Sequence, residues 1–305
     1  MDIIEASKIA ALGFIGFGEA PYHIARGLSP ERVRLYAFDI RAEDSTPKAE
    51  KVREHATECR VTLVASLAEL LRCGEVFLNF TSADVAPSIA AQAAPLLRPG
   101  QFYLDMNSMA PQSKREIASI FEASRGNFVE AAVMSSVPAN GPQVPISLCG
   151  RAGAAASALL NALGMNTTFL SEEIGLASAS KILRSVLAKG MIALLTETVF
   201  AADHYHLTEE VLEKLYNTMT REMTFQEFCH YSVCSAAIHN GRFCHEMEEA
   251  LRTLEALHEN SIMTQATLKK FEWLHQRGFS DYFSERPRTY DEVLEVKKMI
   301  ENGAK

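Results

Sequence analysis

The sequence predicts a doubly wound parallel α/β sheet over residues 1–172, followed by an all-helical domain over residues 173–305. Three observations support this fold class. Residues 9–170 alternate short β-rich runs with helical runs, which is typical of βαβ units. Strand signals stop after residue 172. The length of 305 residues favours two domains, each large enough to bury its own core.

Seven strands are predicted from their apolar and β-branched runs. They lie at 9–17, 32–39, 60–65, 75–80, 101–106, 127–134 and 145–150. Helical spacing predicts helices at 21–28, 47–56, 82–97 and 111–124. One long helix is predicted over 171–206, and three or four more helices follow it. The last helix begins at Thr289, where Glu292 completes a capping-box pattern.

Composition limits the partners. Lys and Arg number 30 against 38 Asp and Glu, so the net charge is −8 with no basic stripe, which argues against nucleic acid. Six cysteines form no C-x-x-C pair, so we expect reduced thiols in the cytoplasm. We expect no membrane span, because Lys189 and Glu197 interrupt the most apolar stretch, 186–202. The Cys and His residues of 229–245 spread over several helical turns, so we expect no metal there.

The strongest single motif is the glycine turn after the first strand. Gly16 permits a tight turn, and Gly18 permits close approach of a pyrophosphate to the following helix N-terminus. Pro21 replaces the usual third glycine, which a first helical turn tolerates. Asp39, at the end of the second strand, predicts contact with the adenosine ribose and favours NAD. Arg41 leaves NADP open, because it offers a partner for a 2′-phosphate.

Together with this Rossmann-type turn, three later blocks resemble the β-hydroxyacid dehydrogenase superfamily, which includes 3-hydroxyisobutyrate and 6-phosphogluconate dehydrogenases. They are D-M-N-S-M-A-P at 105–111, the block at 130–150, and G-L-A-S-A-S-K-I-L-R-S at 175–185. The resemblance extends from about residue 10 to residue 257. The C-terminal part is similar to a poorly characterised subgroup of phosphogluconate-dehydrogenase-like proteins, and it implies the helical domain of that family.

The resemblance implies hydride transfer between a nicotinamide and the hydroxyl carbon of a small hydroxy acid. It places Lys181 as general base and Ser185 at the position of the catalytic asparagine. Arg184 and Ser185 are three and four residues after Lys181, so all three share one helix face. A partly desolvated lysine beside a positive nicotinamide is expected to have a lowered pKa, which suits proton removal.

The resemblance also assigns the binding residues. The predicted cofactor-binding residues are Gly16, Phe17, Gly18, Glu19, Ala20, Asp39, Arg41, Phe80, Thr81, Ser82, Asn107 and His245. The predicted substrate-binding residues are Ser108, Met134, Ser135, Ser136 and Arg184. Family members commonly pair through their C-terminal helices, so a homodimer is implied.

Three departures from the family pattern leave the substrate open. Met134, Ser135 and Ser136 replace the usual S-G-G, Ser185 replaces asparagine, and His245 with Glu246 replaces a K-D pair. We therefore expect a small 3-hydroxy acid or β-hydroxy amino acid rather than 6-phosphogluconate. The alternative is a protein that binds a dinucleotide without turning over hydroxy acids.

Overall fold

The computed structural model describes residues 10–28, 31–221 and 223–303. One sheet of eight strands runs in the order β3-β2-β1-β4-β5-β6-β7-β8. Its strands are β1 Ala11–Ile15, β2 Arg34–Phe38, β3 Val61–Leu63, β4 Val76–Asn79, β5 Phe102–Asp105, β6 Asn127–Val133, β7 Pro145–Cys149 and β8 Asn166–Ser171. Strand order reverses between β1 and β4, which is the place where ligands bind in open α/β sheets.

Helices cover both faces of the sheet. They are α1 Glu19–Gly27, α2 Pro47–Glu58, α3 Leu67–Cys73, α4 Ala86–Ala93, α5 Pro111–Ile120, α6 Val137–Asn140 and α7 Gly153–Ala162. Because successive side chains of a strand point to opposite faces, β1 contributes side chains to the hydrophobic cores on both faces of the sheet. Leu12 and Phe14 belong to one buried cluster, and Ile15 belongs to the other. The predicted doubly wound sheet is confirmed.

The sheet departs from the fully parallel prediction at one pair, because β6 and β7 are antiparallel. Only α6 and a short 3-10 turn, Gly141–Gln143, connect these strands. A parallel neighbour requires a crossover of roughly a dozen residues or more, usually a full helix. Strand β8 then pairs parallel to β7 after helix α7. It is absent from the predicted strands because this polar strand buries little beyond Thr167.

The segment that joins β6 to β7 packs against helix α1. A Cβ atom on Gly27, the last residue of α1, would overlap the ring of Pro142. Gly141, with φ +54°, starts the turn, and its added Cβ would lie 3.2 Å from the His23 carbonyl oxygen. Helix α1 at Gly27 is therefore in direct contact with Pro142 of the segment after β6.

The C-terminal region is helical. It contains α8 Leu176–His204, α9 Thr208–Tyr216, a π-helical turn Asn217–Arg221, α10 Phe225–Ala256, α11 Ile262–Gln276, a 3-10 turn Phe279–Tyr282 and α12 Tyr290–Glu301. The capping box at the start of α12 is confirmed, since the Thr289 backbone N–H donates to Glu292 Oε1 at 3.2 Å. The chain forms two compact units, 1–185 and 186–305. They divide inside α8, whereas the sequence placed the boundary just before it.

Helix α8 bears on the sequence expectation that the chain has no membrane span. With 29 residues and a mean hydropathy of 1.5 in its most apolar window, it is long and apolar enough to cross a membrane. This single helix is weak evidence, because length and composition are its only support. Its Glu197 carboxylate accepts hydrogen bonds from the backbone N–H groups of Met263 and Thr264 at 2.9 Å. That end of the helix therefore packs against α11 in the second unit.

Candidate active site

The carboxyl ends of four strands lie side by side in the first unit, and β6 runs beside the last of them. Strand register pairs Ile15 with Phe38 and with Asn79, Asn79 with Asp105, and Asp105 with Glu130. The residues that follow β1, β2, β4 and β5 leave the sheet at this one edge. The sheet itself therefore brings together segments that are up to about ninety residues apart in sequence.

The turn after β1 has the geometry that the sequence predicts. Gly16 has φ +79°, and a Cβ atom there would lie 3.1 Å from the Phe80 carbonyl oxygen. A side chain at this position would be strained by both the backbone angle and the contact. A Cβ on Gly18 would meet nothing within 4 Å, so the space above the start of α1 is open. Glu19 and Ala20 form the first turn of this helix.

A dinucleotide fits these features. The N-terminus of α1 offers backbone N–H groups and the positive end of the helix dipole toward the open space above Gly18. The Phe17 side chain is not available to a ligand, because it is fully buried and packs edge-on against Phe14. Among the predicted cofactor residues, Phe17 therefore contributes through the shape of the turn.

Asp39 anchors the turn from the neighbouring strand. Its Oδ2 accepts from the Phe17 backbone N–H at 2.9 Å, and its Oδ1 accepts from the Arg41 backbone N–H at 2.9 Å and Nε at 3.3 Å. Burial raises the pKa of the Asp39 carboxyl, but these N–H groups and the Arg41 charge outweigh it, so the pKa lies below its ordinary value. The carboxylate side chain is 2% exposed, whereas Arg41 is 49% exposed.

The segments after β4 and β5 are tied to each other. Asn79 Oδ1 accepts from Thr81 Oγ1 at 2.8 Å, and the Asn79 carbonyl oxygen accepts from the Met106 backbone N–H at 3.0 Å. Asn107 is buried, and its Nδ2 donates to Asp105 Oδ1 at 2.7 Å. Phe80 is half-buried and Ser82 is exposed. The predicted cofactor residues 80–82 and 107 therefore lie on adjacent segments of this edge.

Lys181 and Ser108 are in contact although they are 73 positions apart. Lys181 Nζ donates to Ser108 Oγ at 2.5 Å. Ser108 follows β5 by three residues, and Lys181 lies in the second turn of α8. The structure thus places the predicted base beside a predicted substrate residue, at the carboxyl edge of the sheet.

Arg184 lies one turn further along α8 and reaches the segment after β6. Its Nη1 donates to the Met134 carbonyl oxygen at 3.1 Å. Met134 is half-buried and packs against Ala132, Cys149 and Ala177, while Ser135 and Ser136 are exposed. Ser185 is half-buried, on the same turn as Arg184. Two cationic side chains, Lys181 and Arg184, therefore stand near exposed hydroxyl groups, which suits an anionic small molecule.

A buried ionic cluster supports these residues, and the sequence analysis does not include it. Lys114 is 0% exposed; its Nζ donates to the Asp105 carbonyl oxygen at 2.7 Å and lies 3.3 Å from Asp105 Oδ2. The Glu130 carboxylate accepts from the backbone N–H groups of Gly175 at 2.5 Å and Ser178 at 2.7 Å, at the start of α8. Burial lowers the pKa of Lys114, although attraction from Asp105 and Glu130 opposes this.

A sequence signal for this cluster exists. Lys114 stands three residues before Ile117 and seven before Phe121, both of which are buried. It therefore occupies the core-facing side of α5, where a charge requires a partner. Asp105 and Glu130 belong to the blocks that carry the family resemblance, but they carry no assigned role there.

The last predicted cofactor residue, His245, belongs to the second unit. It lies on α10, is 83% exposed at its side chain and is 3.5 Å from Glu248. Its assignment to the cofactor stays a prediction. Over residues 10–28, 31–221 and 223–303, no group of three His, Cys, Asp or Glu residues is arranged to hold a metal ion.

Comparison with known families agrees with this site. A family described as the NAD binding domain of 6-phosphogluconate dehydrogenase matches residues 11–170, more than half of the chain. The chain belongs to this family. Residues 202–274 match a second family, described as a domain of unknown function, DUF1932. Membership in the 6-phosphogluconate dehydrogenase NAD-binding family gives the chain an NAD(P)-binding domain, and it confirms both the expected family and the expected fold.

Solved structures extend the comparison. A conserved hypothetical protein from Sinorhizobium meliloti 1021 is 32% identical, with 97% of this chain and 98% of that chain covered and a TM-score of 0.62. The conserved protein MTH1747, described as structurally similar to 3-hydroxyacid dehydrogenases, is 32% identical, with 87% and 97% covered and a TM-score of 0.59. An imine reductase from Streptomyces aurantiacus shares the fold at 16% identity, with 94% and 99% covered and a TM-score of 0.71.

These neighbours and the family agree on one coarse statement. The chain has an NAD(P)-binding domain and is similar to a protein described as resembling 3-hydroxyacid dehydrogenases, whereas the imine reductase shares its fold alone. The two structures at 32% identity are described as a conserved hypothetical protein and as a protein of unknown function. The substrate must therefore be argued from this chain's own residues.

Proposed function

We propose that the protein is an NAD(P)-dependent dehydrogenase that transfers a hydride between the nicotinamide and the hydroxyl carbon of a small 3-hydroxy acid or β-hydroxy amino acid. The observation that carries this proposal is the contact between Lys181 Nζ and Ser108 Oγ. Ser108 follows β5, which is the neighbour of β4 in the β1–β4 pair where the strand order reverses. A base at this edge stands where a ligand of an open α/β sheet binds.

Each residue of the proposed site has a separate role in the reaction. The turn at Gly16 and Gly18 would hold the pyrophosphate of the dinucleotide, whose nicotinamide would supply the acceptor for the hydride. Lys181, in its neutral amine form, takes the hydroxyl proton, and Ser108 holds the amine in place through its hydroxyl. Arg184 and the exposed Ser135 and Ser136 hold the substrate carboxylate by charge-assisted and neutral hydrogen bonds. Ser185, half-buried on the same helix turn, takes the position of the catalytic asparagine.

The proposal is tested by a panel of 3-hydroxy acids and β-hydroxy amino acids with NAD and with NADP, followed by nicotinamide absorbance. Turnover of one of these acids is expected. Binding of both nucleotides without turnover of any acid would instead support the alternative, a dinucleotide-binding protein. A cyclic imine with reduced nucleotide belongs in the same panel, and its reduction in place of acid oxidation would contradict the proposed substrate class.

Cofactor choice is tested at Arg41 rather than at Asp39. Asp39 holds the backbone of Phe17, so its loss is expected to disturb the turn for both nucleotides. Arg41→Ala keeps this bond and removes the exposed guanidinium. We expect Kd for NADPH to rise roughly 10-fold, as for the loss of one charge-assisted contact, and Kd for NADH to change by less than about 2-fold. Fluorescence titration measures both, and an equal loss would show that Arg41 does not meet the 2′-phosphate.

We further propose a homodimer that pairs through α8. Leu183, Val186, Leu187 and Ile192 on this helix are 50–68% exposed, which is unusual for large apolar side chains in one segment. Ile192→Glu is expected to halve the mass measured by light scattering. Leu294→Glu, on α12, is the matched control, since Leu294 is also exposed. An unchanged mass, or recovery of the protein only with detergent, would contradict pairing through this face.

A further inference from the structure

The strongest remaining feature of the first unit is the cluster of Asp105, Lys114 and Glu130. It holds two carboxylates and one ammonium, all fully buried. Burying charge costs free energy unless the charges are paired and hydrogen-bonded. Within the described residues, Asp105 Oδ2 accepts no hydrogen bond and is balanced by Lys114 at 3.3 Å. Burying three charges in this way therefore costs folding free energy that an apolar cluster would not cost.

The cluster holds the two segments that carry Lys181 and Ser108. On one side, Asp105 Oδ1 accepts from the Asn107 backbone N–H at 3.0 Å and from Asn107 Nδ2 at 2.7 Å. These bonds fix the residue that precedes Ser108. Lys114 holds the same segment through the Asp105 carbonyl oxygen.

On the other side, Glu130 holds the first turn of the helix that carries Lys181. Its two oxygens accept from Gly175 and Ser178, and Ser178 is one turn before Lys181. A carboxylate at a helix N-terminus is favoured by the free N–H groups and the helix dipole. Gly175 has φ +106°, so the chain enters the helix through a backbone conformation that other residues rarely adopt.

Asp105 and Glu130 are direct neighbours across β5 and β6. The segment with Ser108 and the helix with Lys181 are therefore anchored to residues that are paired across these two strands. The two segments thus share an anchor at the paired residues Asp105 and Glu130, and they also meet at the contact between Lys181 Nζ and Ser108 Oγ. Any shift of one anchor changes the distance between these two groups.

We propose that Asp105, Lys114 and Glu130 are positioning residues that set the placement of Lys181 against Ser108. This inference deepens the proposed function and rests on it for its kinetic consequence. Its geometric consequence, the placement of Lys181 against Ser108, can be tested without any turnover, because it concerns only the contact between two side chains of this chain.

The geometric test uses the lysine itself. Lysines of the full chain are reductively methylated with ¹³C-formaldehyde, and the Lys181 signal is assigned by its absence in Lys181→Arg. Ser108→Ala removes the contact directly and defines the change in chemical shift. Glu130→Gln and Asp105→Asn, which keep side-chain size, are expected to move the signal in the same direction. Glu122→Gln is the control, because it removes an exposed carboxylate. A Lys181 signal unchanged in both cluster variants would overturn the proposal.

The kinetic test separates positioning from stability. We expect Glu130→Gln to lower kcat, per nucleotide-binding site, about 10-fold with nucleotide KM unchanged, because the helix anchor changes while the glycine turn does not. Loss of stability alone would reduce the number of sites and leave kcat per site unchanged, which would contradict positioning. If no acid is turned over, the methyl-lysine shifts still decide the geometry, so the two failures are distinguishable.

If neither variant folds, hydrogen exchange in the wild-type protein decides. The amides of Gly175 and Ser178 are expected to exchange as slowly as those of β6, because they donate to a buried carboxylate. Fast exchange at both amides would overturn the anchor.

Discussion

Replacing Lys181 with methionine is expected to lower kcat by about 10²–10⁴-fold, the range typical of a lost general base. Methionine keeps the length of the side chain and removes the amine that contacts Ser108. Nucleotide affinity is expected to change by less than about 2-fold, since the glycine turn is untouched. Stopped-flow absorbance of the nicotinamide measures the hydride step, and fluorescence titration measures affinity.

Lys189→Met is the matched control for this substitution. Lys189 lies on the same helix, two turns further on, and falls in the second compact unit. Its loss is expected to leave kcat within about 2-fold of the wild type. Undiminished turnover in the Lys181 variant would remove the lysine from the chemistry and with it the proposed mechanism.

The second large effect concerns stability. Lys114→Met is expected to lower the free energy of unfolding by about 3–5 kcal/mol, as for other buried ion pairs that lose one partner. Methionine fits the space of the lysine stem, but the Asp105 carboxylate then stays buried without its counter-charge. Urea unfolding followed by circular dichroism measures the change, with equal m-values as the check on two-state behaviour.

The double variant Lys114→Met with Asp105→Asn tests the cause. It removes the charges of the Asp105–Lys114 pair while Asn107 keeps an acceptor at position 105. Glu130 keeps its hydrogen bonds from the backbone N–H groups at the start of α8. Since neutral replacement of a buried pair is often nearly neutral for stability, most of the loss is expected to be recovered. A double variant as unstable as the single one would show that the lysine is needed for its packing rather than for its charge.

Local signals in the sequence predict the parts of this fold that depend on neighbours in the chain. The glycine turn is predictable because Gly16 interrupts an apolar strand immediately before a helix, and the structure places it at φ +79°. The start of α12 is predictable because a capping box involves residues only three positions apart. Lys181, Arg184 and Ser185 share a face because helical periodicity is fixed.

Features that depend on distant pairing are not available from such signals. The antiparallel β6–β7 pair follows from a short connection that sequence patterns do not distinguish from other loops. The role of Glu130 depends on its register against Asp105 and on the later position of Gly175. Asp39 carries the residue type of a ribose acceptor, yet its bond to the Phe17 backbone appears only once β1 and β2 are paired.

The meeting of Gly27 with Pro142 has a consequence for the evolution of this chain. The helix behind the nucleotide turn and the segment that begins after Ser136 meet with no room for a methyl group between them. Related sequences that carry a larger residue at the first position should therefore carry a smaller or displaced one at the second. Substitutions in the loop after β6 are then restricted by the contact with Gly27 of helix α1, and we expect paired substitutions at positions 27 and 142 in related sequences.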